Sequence, residues 1–237
     1  ARTGSRLAMM SAPQVRRYRR SESAVFFKTK EEYGGLSNMA GGFPLCVNGV
    51  HILTSEALYQ ACRFPHLPEV QRLIIGQKSP MTAKMKSKPY RDDSRHDWDN
   101  VRVRVMRWCL RVKLAQHWDT FGALLLSTEH KSIVEESHRD TFWGAKPVDE
   151  EHLAGMNVLG RLLMELREQL DGPDAEALRI VYPPPISQFM LCDKEIGVIG
   201  MGANALQRRH ADPTEAAAIQ AEDQPQDFVQ ASFLAGR

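Results

Sequence analysis

The sequence predicts an α+β fold that is mainly α-helical, built as a single domain with a small N-terminal hairpin element. The hairpin is indicated by Asn48-Gly49 between two short apolar runs, because this dipeptide favours a two-residue turn. Helices are indicated by apolar residues spaced three and four apart over 98–115 and 157–170. A chain of 237 residues, 43% of them hydrophobic, can bury one sizeable core.

The N-terminal elements are short strands that flank a loop. Residues 24–29 predict the first strand, and residues 45–47 and 50–52 predict the two strands of the hairpin. The loop over residues 33–43 contains four glycines, which let a backbone approach a ligand closely or simply connect two elements.

Helical patterns dominate after the hairpin. The short apolar run over 70–74 predicts one helix. Ser79-Pro80 is typical of a helix start, with a cap followed by proline at the first helical position, and the helix that it opens carries Lys84. Residues 132–136 predict a strand between the two long helices.

Charge and composition divide the chain into three regions. Residues 1–22 hold six arginines and one glutamate, and we expect a basic disordered leader there. Residues 24–170 form the predicted domain, in which residues 78–113 carry eleven Lys or Arg against four Asp. This basic segment is either a solvated helix face or a surface for phosphate-bearing ligands, including nucleic acid. Residues 171–237 contain proline and glycine breaks and nine acids against five bases after position 171, which predicts an acidic tail or small appendage.

Cysteine spacing and hydropathy bound the class of protein. The four cysteines lie far apart without a C-x-x-C motif, so we expect no metal site, no disulfide framework and no cofactor. No run of about 18 apolar residues is present, and we expect no membrane contact. These features predict a cytoplasmic protein.

The strongest local signal is a helix start with a polar face. Thr54 is a good N-cap, and Glu56 in the first turn offers a negative partner to free backbone N–H groups. Tyr59, Gln60 and Arg63 follow Glu56 at spacings of three, four and seven, so they share its side of the helix. An acid, a phenol, an amide and a guanidinium on one face indicate a polar ligand more than a core.

Motifs over residues 24–170 resemble the NADAR superfamily, the YbiA-like N-glycosidases, in order and spacing. In this sequence they read Tyr33-Gly34-Gly35-Leu36-Ser37-Asn38, Thr54-Ser55-Glu56-x-x-Tyr59-Gln60-Ala61, Ser79-Pro80 with Ala83-Lys84, Asp140-x-x-Trp143-Gly144 and Gly155-x-Asn157-x-Leu159-Gly160. Ser87-Lys88 stands where the family commonly has a Gly-Arg pair, and the chain continues beyond Leu170, where family members usually end.

The resemblance implies cleavage of N-glycosidic bonds to ribose. Two substrate classes follow from it: phosphorylated ribosylamino-pyrimidine intermediates of riboflavin synthesis, and ADP-ribose attached to guanine in nucleic acid. The expected partner is therefore a ribose-phosphate or ADP-ribose-containing substrate. The family motifs and the helix face together indicate as substrate-binding residues Asn38, Tyr59, Gln60, Arg63, Trp143, Gly144 and Asn157.

The chemistry of this bond indicates three catalytic candidates. Breaking a C1–N bond develops positive charge on ribose, which calls for a carboxylate near C1 and a proton source for the departing nitrogen. Glu56 and Asp140 are the candidate carboxylates. Lys84 either contacts a phosphate or, in its neutral form, attacks C1 to give an imine.

Structural explanations stand beside each of these roles. Glu56 can serve only the helix dipole, Asp140 can close a turn, and Lys84 can belong to a solvated run of lysines. Trp143 can be a core residue, and Asn157 can cap the last helix. At the level of function, the alternatives are a non-catalytic ADP-ribose or NAD-binding module, and an interaction protein that recruits a partner through its tail.

Overall fold

The computed structural model describes residues 14–200, which form six α-helices and eleven short strands. The helices are α1 (Ser55–Ala61), α2 (Pro68–Ile75), α3 (Pro80–Ser87), α4 (Trp98–Gln116), α5 (Trp118–Leu126) and α6 (Val158–Leu170). The strands are β1 (Arg16–Arg19), β2 (Ser23–Phe26), β3 (Leu45–Val47), β4 (Val50–Ile52), β5 (Ser132–Glu135), β6 (Lys146–Pro147), β7 (His152–Gly155), β8 (Ile180–Val181), β9 (Met190–Leu191), β10 (Lys194–Glu195) and β11 (Ile199–Gly200). The predicted α+β, mainly helical fold is confirmed.

Two small sheets bring distant parts of the chain together. Strands β2 and β5 pair in parallel, with Phe26 opposite Glu135, so their carboxyl ends lie side by side. Strands β1, β7 and β6 form an antiparallel sheet in that order. Ligands commonly bind beyond the carboxyl ends of parallel strands, and these ends border the pocket described below.

The core is organised around α4, the longest helix. Its residues Val101, Val105 and Val112 are almost completely buried, which confirms the predicted apolar stripe. Helices α1, α5 and α6 all pack against α4. The two predicted helix starts are also confirmed, because the Thr54 hydroxyl accepts from the Ala57 N–H and the Ser79 hydroxyl accepts from the Thr82 N–H.

The predicted hairpin is present as β3 and β4. Asn48 and Gly49 both have positive φ, 53° and 79°, the backbone of a type I′ turn. Because the turn sets the register, Leu45 lies opposite Ile52 and both side chains point into the core. The hairpin leads the chain directly into the Thr54 cap of α1.

The predicted leader over residues 1–22 is corrected in its second half. Arg16–Arg19 pair with β7, and the Tyr18 side chain is buried in a small cluster with Val134, Ala145 and Leu153. The arginines on either side of Tyr18 are exposed to solvent. The one inward-pointing aromatic side chain therefore anchors this basic strand. Residues 1–13 lie outside the described part of the chain.

The predicted tail is also corrected, because residues 172–200 belong to the domain. Val181, Leu191 and Ile199 are buried in the main core. The Gln71 side chain fastens this segment by donating to the Met190 carbonyl at 3.0 Å and accepting from the Cys192 N–H at 2.7 Å. The acidic charge balance and the prolines of this segment hid its apolar residues from sequence reasoning, because these residues are scattered. Residues 201–237 lie outside the described part.

A buried lysine holds the loop that leads to the site. Lys113 of α4 is fully buried and donates to the carbonyls of Gly35, at 2.6 Å, and Ser37, at 3.2 Å. Its ammonium also lies 4.3 Å from the ring centres of Phe43 and Phe121. Burial lowers the pKa of Lys113 to about 7. This residue therefore belongs to the core and not to the basic surface expected over 78–113.

Candidate active site

A pocket of about 410 Å³ opens where α1, α3 and α4 meet the carboxyl ends of β2 and β5. The loop over residues 137–143 closes one side of it. Eight of the ten predicted site residues line this pocket: Asn38, Glu56, Tyr59, Gln60, Arg63, Lys84, Asp140 and Trp143. Residues separated by more than 100 positions in the sequence thus form one site.

Glu56 is held rigidly at the start of α1. Its backbone N–H donates to the Asn38 carbonyl at 3.1 Å, and its Oε1 accepts from Gln60 Nε2 at 2.9 Å. The Ser87 hydroxyl donates in turn to Gln60 Oε1 at 2.9 Å, so the serine that departs from the family pattern supports this arrangement. The Glu56 side chain is only 8% exposed, and its Oε1 lies 4.0 Å from Lys84 Nζ.

Aromatic rings form part of the pocket wall. The Tyr59 ring lies 5.6 Å from that of Trp143 and 5.0 Å from that of Trp98, both measured between centroids. Burial, and then the nearby charge of Glu56, raise the pKa of the Tyr59 phenol, so the phenol remains a hydrogen-bond donor. These rings offer apolar faces to a base or sugar.

Asp140 combines a turn with a place in the pocket. Its Oδ1 accepts from the N–H groups of Phe142 at 2.8 Å and Trp143 at 2.9 Å, as the structural alternative expects. Its carboxyl group also lines the pocket, where it lies close enough to Glu135 to affect the charge of that residue. Asp140 therefore fixes the orientation of Trp143 and adds negative charge to the site.

Asn38 lines the pocket, and one of its side-chain polar atoms has no hydrogen-bond partner among the described residues. Its side chain is 96% buried by its surroundings, with a relative exposure of 4%. Its Nδ2 contacts the Met106 sulfur at 2.8 Å, whereas its Oδ1 has no hydrogen-bond partner within residues 14–200. Buried polar atoms are normally satisfied, so this enclosed oxygen is an unsatisfied acceptor beside the pocket.

Gly144 and Asn157 lie behind the pocket and do not line it. Asn157 is fully buried with a φ of 48°, and its side chain donates to the Ile133 carbonyl and accepts from the Glu135 N–H. It therefore ties β5 to the start of α6, although its side chain does not cap that helix. A Cβ on Gly144 would lie 2.5 Å from the Glu135 carbonyl oxygen. Both residues position the strand end that carries Glu135.

Sequence reasoning missed two further carboxyl groups that line the pocket, those of Glu136 and Glu135. Glu135 is the last residue of β5 and directly follows the buried pair Ile133 and Val134. Burial, and then the charges of Glu56 and Asp140, raise its pKa from 4.5 to about 7 against the opposing effect of Lys84. A polar residue at the carboxyl end of a buried parallel strand was the available signal. Glu135 is thus a proton carrier near neutral pH.

The raised pKa of Glu135 gives a pH-dependent prediction. We expect turnover to fall about tenfold for each pH unit above about 7, because the acid form of Glu135 is lost there. In Glu135→Gln this alkaline limb should disappear together with most of the activity. Glu136 also lines the pocket, but its carboxylate pairs with Arg20 at 2.7 Å, so in Glu136→Gln the limb should keep its position. An unchanged pH profile in Glu135→Gln would contradict the assignment.

Protein stability supplies an independent readout of the same group. The folded-state pKa of Glu135 lies above its unfolded value, so the unfolded chain releases this proton first as the pH rises. The free energy of unfolding should therefore decrease between about pH 4.5 and 7, and Gln at this position should remove that decrease. Thermal denaturation of wild type and Glu135→Gln at pH 4 and pH 8 measures the difference.

The described residues contain neither a metal-binding cluster nor a membrane-spanning helix. Among residues 14–200, no group of three or more His, Cys, Asp and Glu side chains is arranged to hold a metal ion. In the same part of the chain, every helix is too short or too polar to cross a bilayer.

Comparison with known proteins agrees with this architecture. The NADAR domain model matches residues 25–171. N-glycosidase YbiA of Escherichia coli K12 is 41% identical over 146 residues, covering 61% of this chain and 86% of that protein. A riboflavin biosynthesis protein of Vibrio vulnificus is 35% identical over 147 residues, covering 61% of this chain and 38% of that protein.

The solved structures include a similar fold. The NMR structure of the E. coli protein YbiA superimposes with a TM-score of 0.55 at 37% identity, covering 63% of this chain and 85% of that one. The family model matches residues 25–171, and this range contains every residue that lines the pocket. The chain belongs to the NADAR domain family.

Proposed function

We propose that this protein is an N-glycosidase that hydrolyses the bond between ribose C1 and the nitrogen of a base or amine. The observation that carries the proposal is the meeting of Glu56, Glu135, Asp140 and Lys84 in one pocket with aromatic walls. Similarity to proteins named N-glycosidase supports it. The free thiols of Cys62, Cys109 and Cys192 also fit a reducing compartment, and we place the protein in the cytoplasm.

The carboxyl groups take complementary roles in bond cleavage. Glu135 enters the reaction protonated and donates its proton to the departing nitrogen as the C1–N bond breaks. Positive charge that develops at C1 is stabilised by the carboxylates of Glu56 and Asp140. The division between one acid and two anions follows from their surroundings, because like charges in a confined site resist simultaneous ionisation.

Lys84 captures the sugar. Glu56, 4.0 Å away, accepts a proton from the Lys84 ammonium, and the free amine then bonds to C1. Bonding to C1 leaves two protons on the nitrogen. One of them passes to O4 as the C1–O4 bond breaks and the ribose ring opens, and a protonated imine between Lys84 and C1 remains. Water adds to this imine, and ribose leaves as the aldehyde while the amine is regenerated. Overall, one water is consumed and one free base is released.

The substrate is one of the two classes indicated by the family: a ribosylamino-pyrimidine phosphate or ADP-ribosylated guanine. Incubation of the protein with each compound, followed by mass spectrometry, identifies the bond that breaks. A glycosidase yields free pyrimidine or guanine together with the matching sugar product. Consumption of neither compound, or loss of phosphate without release of base, would contradict the proposal. A binding module for ADP-ribose or NAD would retain ligand without releasing base.

Salt dependence separates the two substrate classes. Of the basic residues in 78–113, five are exposed near α3 or on α4: Lys78, Lys86, Lys88, Arg91 and Arg104. If the substrate is modified DNA, affinity should fall steeply with salt, because each neutralised phosphate releases a counterion. We expect about a tenfold or greater loss between 50 and 200 mM salt for three or more such contacts. A flat dependence would exclude this segment as a nucleic-acid surface.

A further inference from the structure

Three arginines line the same pocket without adequate counterions. Arg63 follows α1, Arg91 lies in the 3-10 turn after α3, and Arg102 belongs to α4. Within residues 14–200, neither Arg63 nor Arg91 forms an ion pair. Arg102 has only Asp99, at 3.6 Å, and the Asp99 side chain is 86% exposed. This contrasts with Arg107 on the same helix, which is paired bidentately with Glu165.

Arg63 is fixed in place but keeps donors free. Its Nε donates to the Ser94 hydroxyl at 2.7 Å, and its guanidinium carbon lies 5.1 Å from the Trp98 ring centre. Burial lowers the pKa of Arg63, and the charges of Arg91 and Arg102 lower it further. Interactions with Tyr59 and Asp99 act in the opposite direction, and the effects of Arg91 and Arg102 show that the three guanidinium groups lie close together.

Arg102 shows the same incomplete pairing. Its guanidinium carbon lies 3.9 Å from the Phe142 ring centre, which orients the plane of the group. Its Nε is buried and has no hydrogen-bond partner among the described residues. The enclosed Nε cannot reach a ligand, so an anion in the pocket would pair with the terminal nitrogens of this guanidinium group.

We propose that Arg63, Arg91 and Arg102 form an anion subsite that binds the phosphate group of the substrate. The inference rests on the proposed function and extends it, because it assigns the residues that hold the phosphate present in both candidate substrates. Guanidinium groups match phosphate oxygens in pairs of hydrogen bonds. Glu56 lies at the start of α1 and Arg63 just beyond its end, and both line the pocket, so one ligand can contact the carboxylate and the arginine together.

Ribose 5-phosphate and ribose are the matched probes, with binding measured by isothermal titration calorimetry. We expect ribose 5-phosphate to bind at least tenfold more tightly than ribose. Arg91→Gln and Arg102→Gln should each weaken ribose 5-phosphate about tenfold or more, and should leave the affinity for ribose unchanged. Arg104→Gln, an exposed change on the same helix as Arg102, should have no effect. Thermal denaturation verifies the fold, and Arg91 is itself exposed.

The source of the phosphate is decided by a third probe, ADP-ribose. Tighter binding of ADP-ribose, lost in the same variants, assigns the subsite to a diphosphate, whereas tighter binding of ribose 5-phosphate assigns it to a monoester. Equal binding of ribose and ribose 5-phosphate, or wild-type affinity in both variants, would overturn the subsite. If a protein that fails this binding test still released free base, the proposed N-glycosidase activity would stand. The two proposals can therefore fail independently.

Discussion

Glu56→Gln should lower turnover by about 10²–10⁴-fold while the protein remains folded. Glutamine keeps the size of the side chain and an oxygen that can accept from Gln60 Nε2, as Glu56 Oε1 does at 2.9 Å. It cannot carry the negative charge that stabilises C1, and it cannot take a proton from Lys84. Steady-state release of free base measures the loss, and circular dichroism verifies the helix.

Glu69→Gln provides the matched control for Glu56. Glu69 occupies the first turn of α2, as Glu56 does in α1, but it is exposed and lies outside the pocket. Its replacement should change turnover less than about twofold, because an exposed first-turn acid contributes only a few tenths of a kcal/mol to about 1 kcal/mol of helix stability. If Glu56→Gln and Glu69→Gln behaved alike, Glu56 would be a helix-dipole partner only.

Lys84 should form a covalent adduct with the sugar when borohydride is added during turnover. Reduction of the imine leaves a stable amine, so peptide mass spectrometry should find the sugar phosphate or ADP-ribose mass on the peptide that contains Lys84. Lys84→Met and Lys84→Arg should both lower turnover by about 10²-fold or more, because neither side chain can form the imine. Arginine retains the charge, so its failure separates nucleophilic from electrostatic action.

Lys86→Met serves as the control on the same helix. Lys86 is exposed and does not line the pocket, so its loss should leave turnover and trapping unchanged. Active wild-type protein without an adduct, together with an active Lys84→Arg variant, would contradict covalent capture. Lys84 would then be a charged contact, and water would be the group that attacks C1.

The sequence was most informative where a short motif sets local structure. Asn48-Gly49 predicted the hairpin, Thr54 and Ser79 predicted the helix starts, and the apolar stripe predicted α4, because each depends on residues within a few positions. Strand β1 and the segment over 172–200 were missed. Their order comes from pairing and burial against distant residues, which no local pattern reports.

The candidate site divides in the same way, into residues that local sequence reveals and residues that only the fold brings together. The polar face of α1 was readable from spacing alone, whereas Lys84, Asp140 and Trp143 reached the site through the family resemblance. Glu135 carried no motif of its own, and its raised pKa arises from carboxylates that the fold brings from distant positions. Asn157 is the opposite case. The family motif indicated a substrate-binding residue, but its hydrogen bonds with β5 give it a positioning role.

The stoichiometry of base release tests the central claim most directly. The protein is mixed with a twentyfold molar excess of the ribosylamino-pyrimidine phosphate or of ADP-ribosylated guanine oligonucleotide, and free base is quantified over time. An N-glycosidase should release many molecules of base per molecule of wild-type protein from at least one substrate, and Glu56→Gln should release almost none. Tight binding of both compounds with no free base would show that the pocket recognises ribosides without cleaving them.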